Sequence, residues 1–174
     1  KRLDSSQLQF TLTKAFANVL GANQAVLLTE LGFLQVFDMP SKDELRFEGP
    51  GTYTSGNPIH TEVGAHRGKE YERAEHFADD FSWGYRLVGR LDYNNAIGAW
   101  SLSPRFAWQQ DVSGVSPGPG GPFLEGFKAL TIGVSADYQN AWQVDLSYTT
   151  YSGAGRWNLI NDRDFLGGFV KFSF

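Results

Sequence analysis

Six charged residues stand out because they lie in segments that otherwise alternate between apolar and polar residues. They are Arg86, Arg90, Asp92, Arg105, Asp137 and Asp145. Side chains of a β-strand alternate between two faces, so these charges are expected to share the polar face of a sheet. If that sheet closes into a barrel, they line its lumen. Arginines that converge in a pore attract anions. The same residues could instead form a charge network that braces the wall or holds a plug, and the sequence leaves both interpretations open.

The positions of these charges relative to one another depend on the register of two neighbouring strands. If Tyr93 pairs with Gly98 across a short turn, Arg86 lies opposite Arg105, and Arg90 lies one layer below. Like charges that face each other directly are unfavourable. Counter-charges are therefore expected nearby. The acids that could supply them are Glu30, Asp92, Asp137 and Asp145.

Residues 38–80 contain the weak candidates for a metal site. The three histidines of the chain, His60, His66 and His76, lie there among ten acidic and five basic residues. Imidazole and carboxylate groups can bind a transition metal, but the spacing matches no compact ligand motif. A solvated acidic loop with a short helix over residues 64–77 is the competing interpretation. Its acids could also bind Ca²⁺ bridged to lipopolysaccharide phosphates. No metal site is predicted.

Other chemistry has little support in the sequence. Residues 114–118 match the Gly-x-Ser-x-Gly spacing, but they run into the Pro-Gly residues 116–122, which cannot form the helix that follows the serine of a nucleophile elbow. The glycine-rich residues 118–121 lack the lysine of a phosphate loop. We predict no catalytic residue, no cofactor and no enzyme activity. The absence of cysteine excludes disulfides and cysteine-ligated metals. A net charge of −4 without a basic face predicts no nucleic-acid partner.

Alternating segments predict about seven antiparallel β-strands. They cover roughly residues 7–16, 24–37, 80–95, 99–109, 129–138, 142–149 and 163–174. The second of these is apolar on both faces, so its facing is ambiguous. Short connections at 18–23, 94–98 and 139–141 alternate with long ones at 38–79, 111–127 and 152–162. Outer-membrane barrels show this alternation between short periplasmic turns and long extracellular loops. The Pro-Gly residues 116–122 form either a rigid external turn or a lid folded into the mouth.

Aromatic residues lie near the ends of the predicted strands. They are Trp83, Tyr93, Trp100, Trp108, Tyr138, Trp142 and Tyr148. Aromatic girdles mark the two lipid–water interfaces of a membrane barrel. The segment from Trp83 to Tyr93 spans roughly 33 Å of strand, or roughly 23 Å at a tilt of ~45°, which is close to the apolar band of a barrel. A soluble β-sandwich is the alternative, but it rarely needs a connection as long as 38–79.

The end of the chain resembles an assembly signal. Val170, Phe172 and Phe174 repeat apolar residues at every second position, as in the signal that the barrel-assembly machinery recognises. Bacterial barrels have an even number of strands, at least eight. We therefore predict that residues 1–174 form the C-terminal segment of a transmembrane β-barrel in the bacterial outer membrane. Lipid and lipopolysaccharide are its expected surroundings, and residues 38–80 its long acidic extracellular loop. Further strands precede Lys1 or come from another chain.

Four runs of sequence resemble one known family. They are residues 39–51, 80–86, 116–121 and 161–165. The family is a proteobacterial outer-membrane family described only as a domain of unknown function, and the resemblance covers essentially the whole chain, at the family's C-terminal end. It implies a large barrel, encoded near a periplasmic lipoprotein-sorting-like protein and an RND-type transporter, and hence traffic of lipids or hydrophobic compounds. It implies no catalytic residues.

Three functions compete at this point. A channel or uptake porin for hydrophobic or amphipathic small molecules predicts an open, charged lumen. A structural or docking component of an envelope transport assembly predicts a plugged lumen and periplasmic transport partners. An enzyme, the least supported, would need a nucleophile and a base paired at one rim.

Overall fold

A seven-stranded antiparallel β-sheet dominates the computed structural model, which describes residues 2–174. The strands are β1 Ser5–Val19, β2 Ala22–Val36, β3 Phe81–Ile97, β4 Trp100–Ser113, β5 Lys128–Tyr138, β6 Trp142–Ser152 and β7 Phe165–Phe172. Each strand pairs with its neighbours in chain order. The predicted all-β antiparallel fold with seven strands is thus confirmed. The sheet is open within the described residues, with β1 and β7 at its edges. No helix in residues 2–174 has the length and apolar character needed to cross a membrane.

The register divides the sheet into an apolar face and a polar face, because residues directly opposite each other share a face. The facing of β2 follows from its partners: Phe33 pairs with both Leu8 and Trp83, whereas Glu30 pairs with Arg86. The apolar face then carries the even residues of β1, β4, β5, β6 and β7 and the odd residues of β2 and β3. It is uncovered, with Leu12 66% exposed and Ile132 53% exposed.

The short turns are tighter than the sequence suggested. Val19 pairs with Ala22, which leaves the two-residue turn Leu20-Gly21. Both residues have positive φ, +53° and +77°, as a type I′ hairpin requires. Residues 139–141 form the third short connection, as predicted, between the paired residues Tyr138 and Trp142.

The register between β3 and β4 differs from the predicted one. Arg90, not Arg86, lies opposite Arg105, and Arg86 lies opposite Gln109. The reason is that β3 continues through both asparagines to Ile97, so that only Gly98-Ala99 turns the chain. A register shift between Tyr93 and Ile97 accommodates the extra residues.

The three long connections lie together at the opposite end of the sheet from the short turns, as antiparallel order requires. The first contains a single α-helical turn, Ile59–Glu62, and two 3₁₀ turns, Gly64–His66 and Ala74–His76. The predicted helix over residues 64–77 is wrong. Gly64 and Gly68 adopt φ of +85° and +78°, and a right-handed helix cannot pass through that conformation.

Candidate functional site on the polar face

Arg105 and Asp145 form the strongest ion pair on the polar face. The two guanidinium nitrogens of Arg105 donate to the two carboxylate oxygens of Asp145 over 2.7 and 2.8 Å. The side chain reaches Asp145 across Gly133 of β5, and a Cβ added at Gly133 would lie 3.1 Å from the Arg105 guanidinium carbon. Paired, planar contacts of this kind hold both groups in one orientation. This pair therefore ties β4 to β6 across the intervening strand.

Arg90 belongs to a second charge cluster, although it lies opposite Arg105. Its Nε donates to Asp92 over 2.7 Å, and the Ser103 hydroxyl donates to the same carboxylate oxygen over 2.6 Å. The Arg90 guanidinium also contacts the Ser103 hydroxyl at 3.2 Å. Each of the two opposed arginines thus has its own acid, which offsets their mutual repulsion.

Arg86 is held much more loosely than the other two arginines. Its partner is Glu30, at 3.6 Å, and the Arg86 side chain is 57% exposed. The predicted lumen residues therefore fall into three Arg–acid groups, with counter-charges from three of the four acids proposed. Asp137, the fourth, forms no ion pair among residues 2–174. It lines a polar cavity of about 630 Å³ near the short turns, together with Gln24, Asp92 and Ser101.

The segment between β4 and β5, residues 114–127, folds over the loop end of the polar face; we call it the mouth segment. Asp111 anchors it, because its buried carboxylate accepts the Leu124 N–H over 2.9 Å. Ser116 is fully buried, and its hydroxyl contacts Ser82 of β3 at 2.9 Å and accepts the Phe123 N–H at 3.0 Å. The Gly118 N–H donates to the Glu48 carbonyl in residues 37–80. The Pro-Gly run thus belongs to a segment that covers the loop end of the polar face.

The Phe123 side chain of the mouth segment also reaches onto the polar face of the sheet. Its ring lies over Gly32 and Gly84, where an added Cβ would come within 3.1 Å of a ring carbon at either position. The two glycines thus provide the space that the ring occupies. Below the ring lies a pocket of about 150 Å³. Its polar lining comprises Gln7, Gln9, Glu30, Arg86, Gln109 and Asp111.

Aromatic residues lie in rows on the apolar face. At the short-turn end, ring centroids are 5.0 Å apart for Trp100 and Tyr138 and 4.7 Å apart for Trp142 and Phe172, while Phe174 lies 6.2 Å from Phe172. Four of these rings follow one register line across β4 to β7. The predicted turn-side aromatic residues are thus brought together, and the Tyr93 hydroxyl next to them donates to the Leu20 carbonyl.

Towards the long loops, the aromatic contacts are of a different kind. Phe33 stacks on Trp83 at 6.0 Å. The Trp108 indole N–H donates to the Tyr85 hydroxyl at 3.1 Å. The Tyr148 hydroxyl donates to Asp164 at 2.8 Å. Asp164 also accepts the Tyr151 N–H, and these hydrogen bonds, the backbone one first, lower the pKa of its carboxyl.

The loops also form a cluster around the buried residue Glu72. One oxygen of its carboxylate accepts from the Arg156 guanidinium at 2.9 Å and from the Trp157 indole N–H at 3.1 Å. The His76 ring stacks on Trp157, with ring centroids 3.3 Å apart. Arg156 also lies over the Tyr53 ring, 4.2 Å from its centroid. The first and third long connections are therefore joined; we call these contacts the Glu72 cluster.

The three histidines do not converge. His60 and His66 both contact Ser55: the Ser55 hydroxyl lies 3.0 Å from Nδ1 of His60, and its N–H donates to Nδ1 of His66. His76 belongs to the Glu72 cluster instead. Across residues 2–174, no three histidine, aspartate or glutamate side chains are placed to hold a metal ion together.

Comparison with known proteins now places the chain. The family model described as "Protein of unknown function (DUF1302)" matches residues 1–174. The chain belongs to this family. The resemblance stated from the sequence is confirmed to that extent, and the family description assigns no activity. No curated protein and no solved structure matches the chain.

Sequence reasoning missed the mouth segment's anchors and the Glu72 cluster in this DUF1302 chain. A signal for the first was present: Gly32 and Gly84 pair with each other on the polar face, next to the paired residues Glu30 and Arg86. Glycine within a strand often marks a close approach by another group. No comparable signal links Glu72 to Arg156, because 84 residues separate them.

Protonation of His76 is expected to loosen the loops as the pH falls. Burial lowers the pKa of His76 below its ordinary value; Glu72 and Glu75 oppose that shift, and Arg156 and Arg73 add to it. The folded loops favour the neutral ring. The contribution of that ring to the stability of the loops is therefore complete above pH ~6.5 and is lost as the pH falls towards the lowered pKa. Hydrogen exchange in residues 51–77, expressed relative to the intrinsic exchange rate of an unprotected amide at the same pH, should therefore accelerate between pH ~7 and ~5.

The variant His76→Phe provides the matched control for this prediction. It retains a ring against Trp157 but cannot take up a proton. The acceleration of exchange should be smaller in His76→Phe than in the unmodified protein. Replacement of His60 by phenylalanine should leave the acceleration unchanged, because His60 lies outside the Glu72 cluster. Equal pH dependence in the unmodified protein and in His76→Phe would contradict the assignment to His76.

Proposed function

We propose that this chain forms part of the wall of a bacterial outer-membrane β-barrel that serves as a channel for hydrophobic or amphipathic small molecules. The observation that supports the proposal most is the uncovered apolar face, which extends over all seven strands while the three Arg–acid groups lie on the other face. Soluble monomers rarely expose so large an apolar surface. Acyl chains would cover it in a bilayer, and the polar face would line an aqueous lumen.

The two aromatic zones also support a membrane setting. Tyr93, Trp100, Tyr138 and Trp142 lie near the short turns, and Trp83, Trp108 and Tyr148 lie nearer the long loops. Rings with one polar group favour the two lipid–water interfaces. In this proposal the short turns are periplasmic, and residues 38–80 are extracellular, in contact with lipopolysaccharide. Val170, Phe172 and Phe174 are the contact for the barrel-assembly machinery.

Closure of the barrel requires strands beyond these seven. The outer edges of β1 and β7 have no neighbour among the described residues, and unpaired backbone groups are very costly in lipid. We propose that the missing strands come from other parts of the same polypeptide or from another chain. Either arrangement would place the three Arg–acid groups around a lumen.

A second candidate is a structural or docking component that works with periplasmic transport proteins. The specific observation in its favour is the mouth segment, whose Phe123 lies on the polar face and narrows access to it. A lumen closed by such segments would not conduct. Single-channel recordings in planar bilayers separate the two candidates: a channel gives discrete conductance steps, whereas a docking component gives none and co-purifies with periplasmic partners.

The membrane setting can be tested by fluorescence quenching. Single-tryptophan variants that retain Trp100, Trp142 or Trp157 would be reconstituted into vesicles of lipids brominated along the acyl chains. Trp100 and Trp142 are expected to lose most of their emission, because their rings lie on the apolar face. Trp157, hydrogen-bonded to Glu72 in the loops, should retain its emission. Equal quenching at all three positions, or none at any, would overturn the proposal.

A further inference from the structure

The pocket beneath Phe123 combines one loosely paired cation with an aromatic lid. Arg86 is its cationic group, 57% exposed and 3.6 Å from Glu30. The other two polar-face arginines have ion pairs of 2.7 Å. The guanidinium of Arg86 thus retains donors that its ion pair does not use. It is the member of the three groups best placed to bind a solute.

The lining of the pocket defines the chemistry of that solute. Phe123 offers an apolar ring on one side, and Gln7, Gln9 and Gln109 offer amide donors on the others. Glu30 and Asp111 also line the pocket, so a multiply charged anion would be repelled. A single planar carboxylate, by contrast, matches a guanidinium with two parallel hydrogen bonds. A cavity of about 150 Å³ accommodates a benzene-sized group.

We propose that this pocket binds small amphipathic monocarboxylates, with the carboxylate on Arg86 and the apolar part against Phe123. The proposal names a substrate class for the channel and in that respect rests on the function proposed above. A solute that enters the mouth would exchange its hydration for Arg86 and the glutamine amides. The Arg90 and Arg105 groups lie closer to the short turns, Arg90 four residues further along β3 and Arg105 opposite it on β4, and offer no comparable free cation.

Fluorine NMR of 4-fluorobenzoate with the purified protein in detergent micelles tests the binding. The fluorine resonance should broaden and shift with added protein, beyond the effect of empty micelles. The neutral isostere 4-fluorobenzamide should bind about tenfold more weakly or worse, because it lacks the charge-assisted contact. No broadening beyond that of empty micelles, or equal binding of the acid and the amide, would overturn the proposal.

Three variants locate the site. Arg86→Gln should weaken binding of 4-fluorobenzoate by about tenfold or more, and Arg86→Lys by less, since it retains the charge. Phe123→Ala should weaken binding of both the acid and the amide. Arg90→Gln is the matched control, because it lies on the same strand and face but away from the pocket; it should leave binding unchanged. If Arg86→Gln and Arg90→Gln have equal effects, the site is not at Arg86.

Conductance measured on the same preparations keeps the two proposals separate. If the protein conducts but does not bind the acid selectively, the channel proposal stands and the binding-site proposal is refuted. If the protein binds 4-fluorobenzoate through Arg86 but gives no conductance steps, the binding-site proposal stands and the channel proposal is refuted.

Discussion

Ile132→Arg is expected to reduce assembly of the protein in a bilayer several-fold. Ile132 lies on the apolar face of β5, directly opposite Phe106 and Tyr148, and is 53% exposed. If acyl chains cover that face, an arginine near the middle of the membrane costs about 2–4 kcal/mol. If water covers it, the same exposed substitution costs within about 0.5 kcal/mol, as surface changes usually do. One variant therefore distinguishes the two environments.

Ser135→Arg is the matched control on the same strand. Ser135 lies on the polar face, opposite Ser103 and Asp145, so its arginine would enter the proposed lumen. Refolding into vesicles would be followed by the heat-modifiable mobility of folded barrels on gels. Ser135→Arg should assemble nearly as well as the unmodified protein, and Ile132→Arg should give a several-fold smaller folded fraction. Equal assembly of the two variants would refute a lipid-facing apolar face.

The strands were predictable because a strand with one apolar and one polar face alternates apolar and polar residues with a period of two. Alternation over ten or more residues, as in β3 and β5, leaves few other interpretations. Strand ends and register were harder to predict, because they depend on where a turn begins. The two asparagines after Tyr93 are typical turn residues, yet β3 continues through them to Ile97. That extension moved the partner of Arg105 from Arg86 to Arg90.

The charge pairs show how far such reasoning extends. Opposite charges on one polar face of one sheet must lie near each other, so a set of possible partners could be named without coordinates. The choice within the set depends on register and on side-chain length. Arg105 can donate hydrogen bonds to Asp145, two strands away, because the residue between them on β5, Gly133, has no side chain.

Gly32 and Gly84 signal that another group approaches them, but the partners in the loop contacts could not be predicted because no periodic pattern constrains the loops. Phe123 reaches Gly32 from a segment more than 80 positions later in the chain. In irregular backbone each N–H and C=O group needs its own hydrogen-bond partner, as the Leu124 N–H has in the Asp111 carboxylate. Each such contact depends on the final path of the chain. Buried polar groups such as Glu72 become recognisable only when that path is known.

Arg156→Ala is expected to open the long loops while leaving the sheet intact. Glu72 is fully buried, and its second carboxylate oxygen has no hydrogen-bond partner among residues 2–174. Without Arg156, the carboxylate would retain one neutral donor, the Trp157 indole. Loss of one partner of a buried pair costs about 3 kcal/mol at the lower end of the usual range, which applies because Arg156 is itself 32% exposed. Opening of the loops should then rise roughly 100-fold.

Limited trypsin digestion measures that opening, because Arg67, Lys69 and Arg73 lie in the first long connection. Cleavage there should accelerate strongly in Arg156→Ala and remain slow in Arg163→Ala. The latter variant also removes one arginine from the third connection, but one that forms no ion pair among the described residues. Adding Glu72→Gln to Arg156→Ala should restore much of the resistance, since a neutral amide no longer leaves a charge buried. If the double variant is cleaved as fast as Arg156→Ala alone, the loss of packing against Tyr53 and Trp157, not the stranded carboxylate, destabilises the loops.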